Sequence, residues 1–135
     1  MANLPDNVMK LVNDDKASKV LATTDPDGNV HSIMVGAVAA PSPDLIGVGA
    51  ILMEHTHKNL EKMSGSKKAS LLVAKEMESY EIKVDVKDFL TSGDFFDNMA
   101  AEVEKLGLKL KGVWTFEPAE VWNQSASYEA GKKIV

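Results

Sequence analysis

Neither cysteine nor arginine occurs in this chain of 135 residues. Without cysteine there is no disulfide, no thiolate nucleophile and no Cys-based zinc site, and nothing argues for an oxidising compartment, so the expected address is cytoplasmic. Without arginine, all 15 cationic side chains are lysines. The guanidinium fork that reads guanine, or that grips phosphate in a plane, is therefore missing. With a formal net charge of -5, nucleic acid is not an expected partner. Long apolar runs are absent too. The longest apolar region, Ile33 to Met53, is cut by Pro41, Ser42, Pro43 and Asp44, whereas a membrane span needs roughly 20 apolar residues in a row. The first twelve residues show neither the basic start nor the apolar run of a signal peptide, so no membrane association is expected. Aromatic residues make up only 6% of the chain, and its two tryptophans, Trp114 and Trp122, are expected in the core.

What is present predicts one domain over residues 1–135, large enough for a real core. Val8, Leu11 and Val12 lie at the spacing of one helical face, giving a leading helix within residues 1–16. Ser18 to Thr24 reads as a strand running into the turn Asp25-Pro26-Asp27-Gly28, and a hairpin follows. Val30 to Ala40 and Leu45 to Met53 are strand-like without alternation, so both of their faces should be buried, with residues 41–44 as the turn between them. Ala69 to Lys75 is a further strand. Tyr80 to Asp88 alternates, with Tyr80, Ile82, Val84 and Val86 inward and Glu81, Lys83, Asp85 and Lys87 outward. Phe95, Phe96, Met99, Ala100, Val103 and Leu106 define a helix, with Thr91 and Asp94 as its capping box and Gly107 as its stop. A last strand, Lys111 to Glu117, ends at Pro118, and residues 123–135 form a polar, loosely held tail. Hairpins dominate this order, and strand-helix-strand alternation is missing. A mainly β, small antiparallel barrel with flanking helices is expected, not a parallel dinucleotide fold.

One segment carries chemistry. Met53 to Leu60 opens a short lysine-bearing amphipathic stretch, and Thr56 is read there as a helix N-cap. Its hydroxyl and the unpaired N–H groups of the first turn would then converge, with Lys58 adding positive charge, and an anion is the natural occupant. The same residues also read as an ordinary capped helix with a solvated lysine. Gly36, Gly47, Gly49 and Ala50 lie in the preceding strands, where small residues suit a flat ring approaching the backbone, a barrel bend, or tight packing across a subunit contact. Together these features describe a flat ligand with an anionic tail. His55 and His57, with Glu54 or His31, could be drawn as metal ligands, but no third ligand lies at a diagnostic spacing, and no metal is expected. His31 fits a hydrogen-bonded structural role, and no nucleophilic triad can be specified.

These residues resemble the flavin-binding split barrels related to pyridoxamine 5'-phosphate oxidase. Leu21–Gly36 (LATTDPDGNVHSIMVG) is similar to the family's first hairpin, Thr56–Val73 (THKNLEKMSGSKKASLLV) to its cofactor-phosphate segment and next strand, Tyr80–Lys87 (YEIKVDVK) to the strand after that, and Phe116–Trp122 (FEPAEVW) to the closing segment. The resemblance implies a six-stranded antiparallel split barrel, a homodimer, and FMN in the groove between subunits. By position, Thr56, His57 and Lys58 would hold the FMN phosphate with Asn59 close by. The backbone of Met34, Val35 and Gly36 would line the isoalloxazine, with Ala50 and Ile51 on the adjoining strand. A partner subunit would also account for strands that are apolar on both faces.

Departures narrow the function. Relatives usually carry Pro-Arg-Val after the short helix, where this chain has Ser66, Lys67, Lys68 and Ala69, and Val30 replaces a frequent proline. Authentic vitamin B6 oxidases grip the substrate phosphate with arginine, which this chain lacks. The resemblance therefore implies an FMN flavoprotein of flavin reductase or electron-transfer type and not a B6 oxidase. The alternatives are a deazaflavin-dependent reductase of the same fold and a cofactor-free dimeric binding module.

Overall fold

The computed structural model describes residues 2–51, 53–63 and 68–135. Leu52, expected in the third strand, and Ser66 and Lys67, two of the departures above, lie outside the described residues. Helix α1 (Asp6–Val12) starts at Pro5, whose carbonyl accepts from the N–H groups of Val8 and Met9. Strand β1 (Ser18–Thr24) and strand β2 (Val30–Met34) form the first hairpin. Its turn is fastened by Asp25, whose carboxylate accepts from the backbone N–H groups of Asp27 and Asn29 and from the Asn29 side chain. The Asn29 side-chain bond, and then its backbone bond, hold the Asp25 carboxyl below the usual range. Gly28 supplies the positive φ of 87°.

Strands β3 (Val38–Ser42) and β4 (Leu45–Ala50) form a second hairpin. Helix α2 (Glu54–Met63) follows, then β5 (Lys68–Lys75), β6 (Glu78–Leu90), helix α3 (Asp94–Glu104) and β7 (Gly112–Asn123). All strands join one antiparallel sheet in the order β2-β1-β5-β6-β7-β4-β3. Its two edge strands, β2 and β3, are consecutive in sequence and separated only by Val35, Gly36 and Ala37. Four Cα steps reach at most about 14 Å, so the sheet must curl until its edges nearly meet. They are not hydrogen-bonded to each other, which leaves the barrel split.

The six strands expected from sequence are seven because Val30 to Ala40 is not continuous. Val35 donates its N–H to the Lys19 carbonyl on β1, whereas the Ala37 carbonyl accepts from Gly49 on β4. The chain changes partners between them, at Gly36.

The burial of Tyr80, Ile82, Val84 and Val86 matches the predicted alternation of β6, and the core they join includes Leu21, Ile46, Val48, Leu71, Val73, Phe116 and Val121. Leu4 joins this core with Val8, Leu11 and Val12 of α1, and Met53, just before α2, joins it with Leu60 of α2. Trp114 belongs to this core as expected, but Trp122 is only half-buried, its Nε1 donating to Glu120 and its ring lying under the Lys83 ammonium. A smaller cluster lies on the other face of β4, where Met99 and Val103 of α3 meet Leu110 and Val113. Both faces of β4 are thus buried as predicted, and α3 of the same chain covers the second. β2 differs, with Val30 and Met34 exposed by 75% and 66%.

Other expectations need correction. β4 ends at Ala50, before Met53. β7 does not stop at Pro118 but passes through it, because the β6–β7 register shifts between Lys83 and Val84 and absorbs the proline in a bulge. Thr91 and Asp94 make no capping box: Gly93, at φ 99°, is the N-cap and Asp94 is already helical. Gly107 does stop α3, with the Gly107 and Leu108 N–H groups returning to Glu104 and Val103, but Leu106 beside it is 75% exposed. The tail is not loose. β4 covers β7 only as far as Phe116, and beyond that point the tail takes the free edge, through Asn123 N–H to Lys132, Gly131 N–H to Asn123 and Ile134 N–H to Val121.

Asp14 and Lys75 form an ion pair at 2.7 Å between the end of α1 and β5. The Lys75 hydrogen bond lowers the Asp14 carboxyl, and Asp14 raises the Lys75 ammonium. The stability this pair adds is therefore present at neutral pH, lost as pH falls through the lowered Asp14 value, and lost again as pH rises past the raised Lys75 value. Among the described residues no helix is long and apolar enough to cross a membrane.

The glycines of β4 answer to α3. A Cβ on Gly47 would lie 2.3 Å from the tip of the Phe95 ring, and one on Gly49 would lie 2.8 Å from Leu110 and 3.0 Å from both Ala37 and Met99. Phe95 can swing aside, whereas Ala37 belongs to the neighbouring backbone and cannot. Gly49→Val is expected to cost about 1–3 kcal/mol by overpacking, more than Gly47→Ala, as read from urea denaturation midpoints.

Candidate functional site

Helix α2 lies across β1 and β2 on the inward side of the first hairpin. Its placement rests on Asn59, whose Nδ2 donates to Thr23 Oγ1 at 3.0 Å with both residues buried. The His55 and His31 rings meet, their centroids 5.8 Å apart, so β2 enters the site as well. The first intrahelical bond runs from His57 N–H to the Met53 carbonyl. Met53 is therefore the N-cap, and Thr56 is the third helical residue, not the cap that the sequence suggests. The N–H groups of Glu54, His55 and Thr56 precede that first bond and form the donor end of α2.

Thr56 itself is fully enclosed, and its Oγ1 is a buried polar atom that has no hydrogen-bond partner among the described residues. A hydroxyl buried in that state carries a desolvation cost of about 1–3 kcal/mol. Lys58 is exposed beside it. Hydroxyl, first-turn N–H groups and ammonium are the donor set an anion requires. An anion at the turn meets the N–H groups and Lys58 directly, and reaches Oγ1 only when the packing over Thr56 opens.

His57 is placed differently from its neighbours. Its Nδ1 accepts from Trp114 Nε1 at 3.0 Å, and its Nε2 lies 3.3 Å from Glu61 Oε1. Phe89 and Trp114 contact the imidazole edge-on, with centroids at 5.0 and 5.4 Å. Both ring nitrogens are engaged within the chain.

The strip Met34, Val35, Gly36 is open. Met34 and Gly36 are exposed, and a Cβ on Gly36 would meet nothing within 4 Å. The space expected for a ring at Gly47 and Gly49, by contrast, is filled by Phe95, Leu110 and Met99. Close packing, not ligand clearance, explains those two glycines. Ala50 is buried and Ile51 half-buried next to the α3 cluster. From His31 at the helix end to Met34 is three residues of antiparallel strand, about 10 Å. The donor end of α2 and the open strip are thus joined along one strand.

On the outer face of the sheet a groove of about 300 Å³ is lined by Val20, Ala22, Ser70, Leu72, Glu81 and Gln124. Val20 pairs with both Met34 and Leu72, so an apolar row crosses β2, β1 and β5. Glu81 is held by the Ser70 hydroxyl at 2.8 Å. Among the described residues no three His, Asp or Glu side chains converge on a metal position.

Sequence reasoning did not find Trp114, Glu61 or Thr23. Glu61 was within reach, since it stands four residues after His57 on one helical face. Trp114 and Thr23 approach α2 only through the sheet order.

No protein-family model matches this sequence, and no curated protein matches it. Solved structures do. An FMN-binding protein from Syntrophomonas wolfei superposes with a TM-score of 0.71 at 17% identity, over 87% of this chain and 88% of that one. An F420 reductase superposes at 0.64 with 15% identity over 87% and 98%. The heme storage protein HutZ from Vibrio cholerae superposes at 0.59 with 13% identity over 92% and 97%. The identities are low, and the agreement lies in the course of the backbone. The chain has the split-barrel fold of the pyridoxamine 5'-phosphate oxidase-like proteins.

Proposed function

We propose that this protein binds FMN as a homodimer and serves in oxidoreduction or electron transfer, in a cytoplasmic setting and without the B6 oxidase reaction. The observation that carries the reading is the partnerless Thr56 hydroxyl in the first turn of α2, on a scaffold that another protein uses to bind FMN. In this reading the FMN phosphate takes the N–H groups of Glu54, His55 and Thr56, the Thr56 hydroxyl and the Lys58 ammonium. Asn59 holds that turn to β1 through Thr23. The isoalloxazine is lined by the backbone of Met34, Val35 and Gly36, with Ala50 and Ile51 on the adjoining strand. FMN supplies the redox chemistry when bound, while the chain sets its orientation and its access to water. The apolar row of exposed Met34 and half-buried Val20 and Leu72 is the face offered to a second copy. Lack of arginine argues against the gripping of a second, substrate phosphate as B6 oxidases do it.

A deazaflavin is the second reading. It is favoured by the likeness to an F420 reductase, and its acidic tail would use the same turn and Lys58. The visible spectrum of the protein after incubation with each cofactor separates the two, and a protein that takes up neither is a cofactor-free binding module. Lys58→Ala is expected to weaken FMN binding by about 1–3 kcal/mol, the worth of a charged hydrogen bond. Unchanged affinity in a fluorescence-quenching titration would remove Lys58 from the site.

A further inference from the structure

Three elements meet at His57, and their chemistry fixes its protonation. The Trp114 indole has an N–H donor and no acceptor. At 3.0 Å from it, His57 Nδ1 must therefore carry a lone pair, and the ring proton sits on Nε2, directed at Glu61. Contacts to the ring come from Glu61 on α2, Phe89 on β6 and Trp114 on β7, and of these Glu61 alone carries charge. Trp114 is 3% exposed, so its N–H depends on His57 for an acceptor while the barrel wall stays closed.

We infer that His57 is a positioning residue, not an anion ligand: the Trp114–His57 bond pins the first turn of α2 to the barrel wall, and a second proton on His57 releases the pin. Protonation converts Nδ1 from acceptor to donor, setting two N–H groups against each other inside the protein. It also strengthens the attraction to Glu61, but that side chain is 59% exposed, and solvent screens an exposed pair. The lost indole acceptor is the larger effect, because a buried donor is left without a partner. Thr56 and Lys58 flank His57 directly, so loosening this residue loosens the donor set itself. The consequence for FMN rests on the function proposed above, whereas the pin does not.

The test uses the full cofactor-free chain. Nitrogen-15 shifts of His57 are read first, followed by amide hydrogen exchange in α2 over a pH series descending from the alkaline side of neutrality. The wild type is compared with H57N, H57F and W114F. Asparagine offers an oxygen close to the Nδ1 position and cannot take the proton. The inference expects the Nε2–H form at the alkaline end of the series. On acidification it expects at least about a tenfold loss of α2 protection in the wild type, little pH response in H57N, and low protection at every pH in H57F and W114F. FMN affinity should follow the same order. An Nδ1–H form, or α2 protection in H57F equal to the wild type, overturns it. If the exchange pattern holds and FMN does not bind, the pin stands and the FMN reading fails. If FMN binds and α2 protection ignores both pH and H57F, the reverse is true.

Discussion

Replacing Thr56 by valine is expected to move two quantities in opposite directions. Valine keeps the branched shape and removes the oxygen, so the cofactor-free protein no longer buries a hydroxyl that has no partner. Its stability should rise by about 1–2 kcal/mol, the order of the desolvation cost of such a group. FMN affinity should fall by up to about tenfold, because the phosphate loses one charge-assisted hydrogen bond whose worth is reduced by the opening of the packing over Thr56. A residue serving only the core would show no such split. A valine variant that is more stable and binds FMN as tightly as the parent would leave Thr56 a packing fault without a ligand. Chemical denaturation and flavin titration on the same preparation give both numbers.

Lys19 is the second site where a large effect is expected. It points inward from β1, is 3% exposed, and makes no side-chain hydrogen bond or ion pair with the described residues, although Asp15 and Asp14 lie near enough to favour its charge. Burial outweighs those carboxylates and lowers its ammonium from the ordinary lysine value of 10.5. Lys19→Met keeps the length of the side chain and removes the charge, and because the ammonium still reaches solvent it should stabilise the protein by about 1 kcal/mol at neutral pH. The sign with pH follows from linkage. Between the lowered native value and 10.5 the unfolded chain binds the proton more strongly, so wild-type stability rises with pH across that window. The advantage of the methionine variant is therefore full at neutral pH and shrinks toward alkaline pH. A variant less stable than the parent, or a difference indifferent to pH, would show that Lys19 is not paying for its burial.

Lys19 is also joined to the proposed ring strip, since its carbonyl accepts from Val35 N–H. Holding the chain at Val35 and again at Ala37 leaves Gly36 as the point where it crosses from one sheet edge to the other. The open strip and the split in the barrel are thus one feature of the backbone.

Local signals were legible where physics is local. The alternation of β6, the Asp25–Gly28 turn and the Gly107 stop all depend on residues within a few positions of one another. The split-barrel fold was legible as well, through the succession of hairpins and the family resemblance. Errors arose where a distant element supplied the cause. Gly47 and Gly49 suit a ring as well as they suit α3, and only the packing of Phe95, Leu110 and Met99 decides between them. Pro118 reads as a strand end unless the partner strand is known to shift register there. The tail reads as loose because the free edge of β7 that receives it cannot be seen in composition. In the candidate site, Thr56 and Lys58 were singled out by helix-start chemistry, and Asn59 only by the family resemblance. The cap position was misread by three residues, since Met53 offers only its backbone.

The account stands on the phosphate end of the cofactor being held at the first turn of α2. Its most direct test is a paired titration of the purified protein with FMN and with riboflavin, which differs only in lacking the phosphate. The account predicts that FMN binds at least about a hundredfold more tightly, the combined worth of several charge-assisted hydrogen bonds. Equal affinity for the two, or no uptake of either, would contradict it.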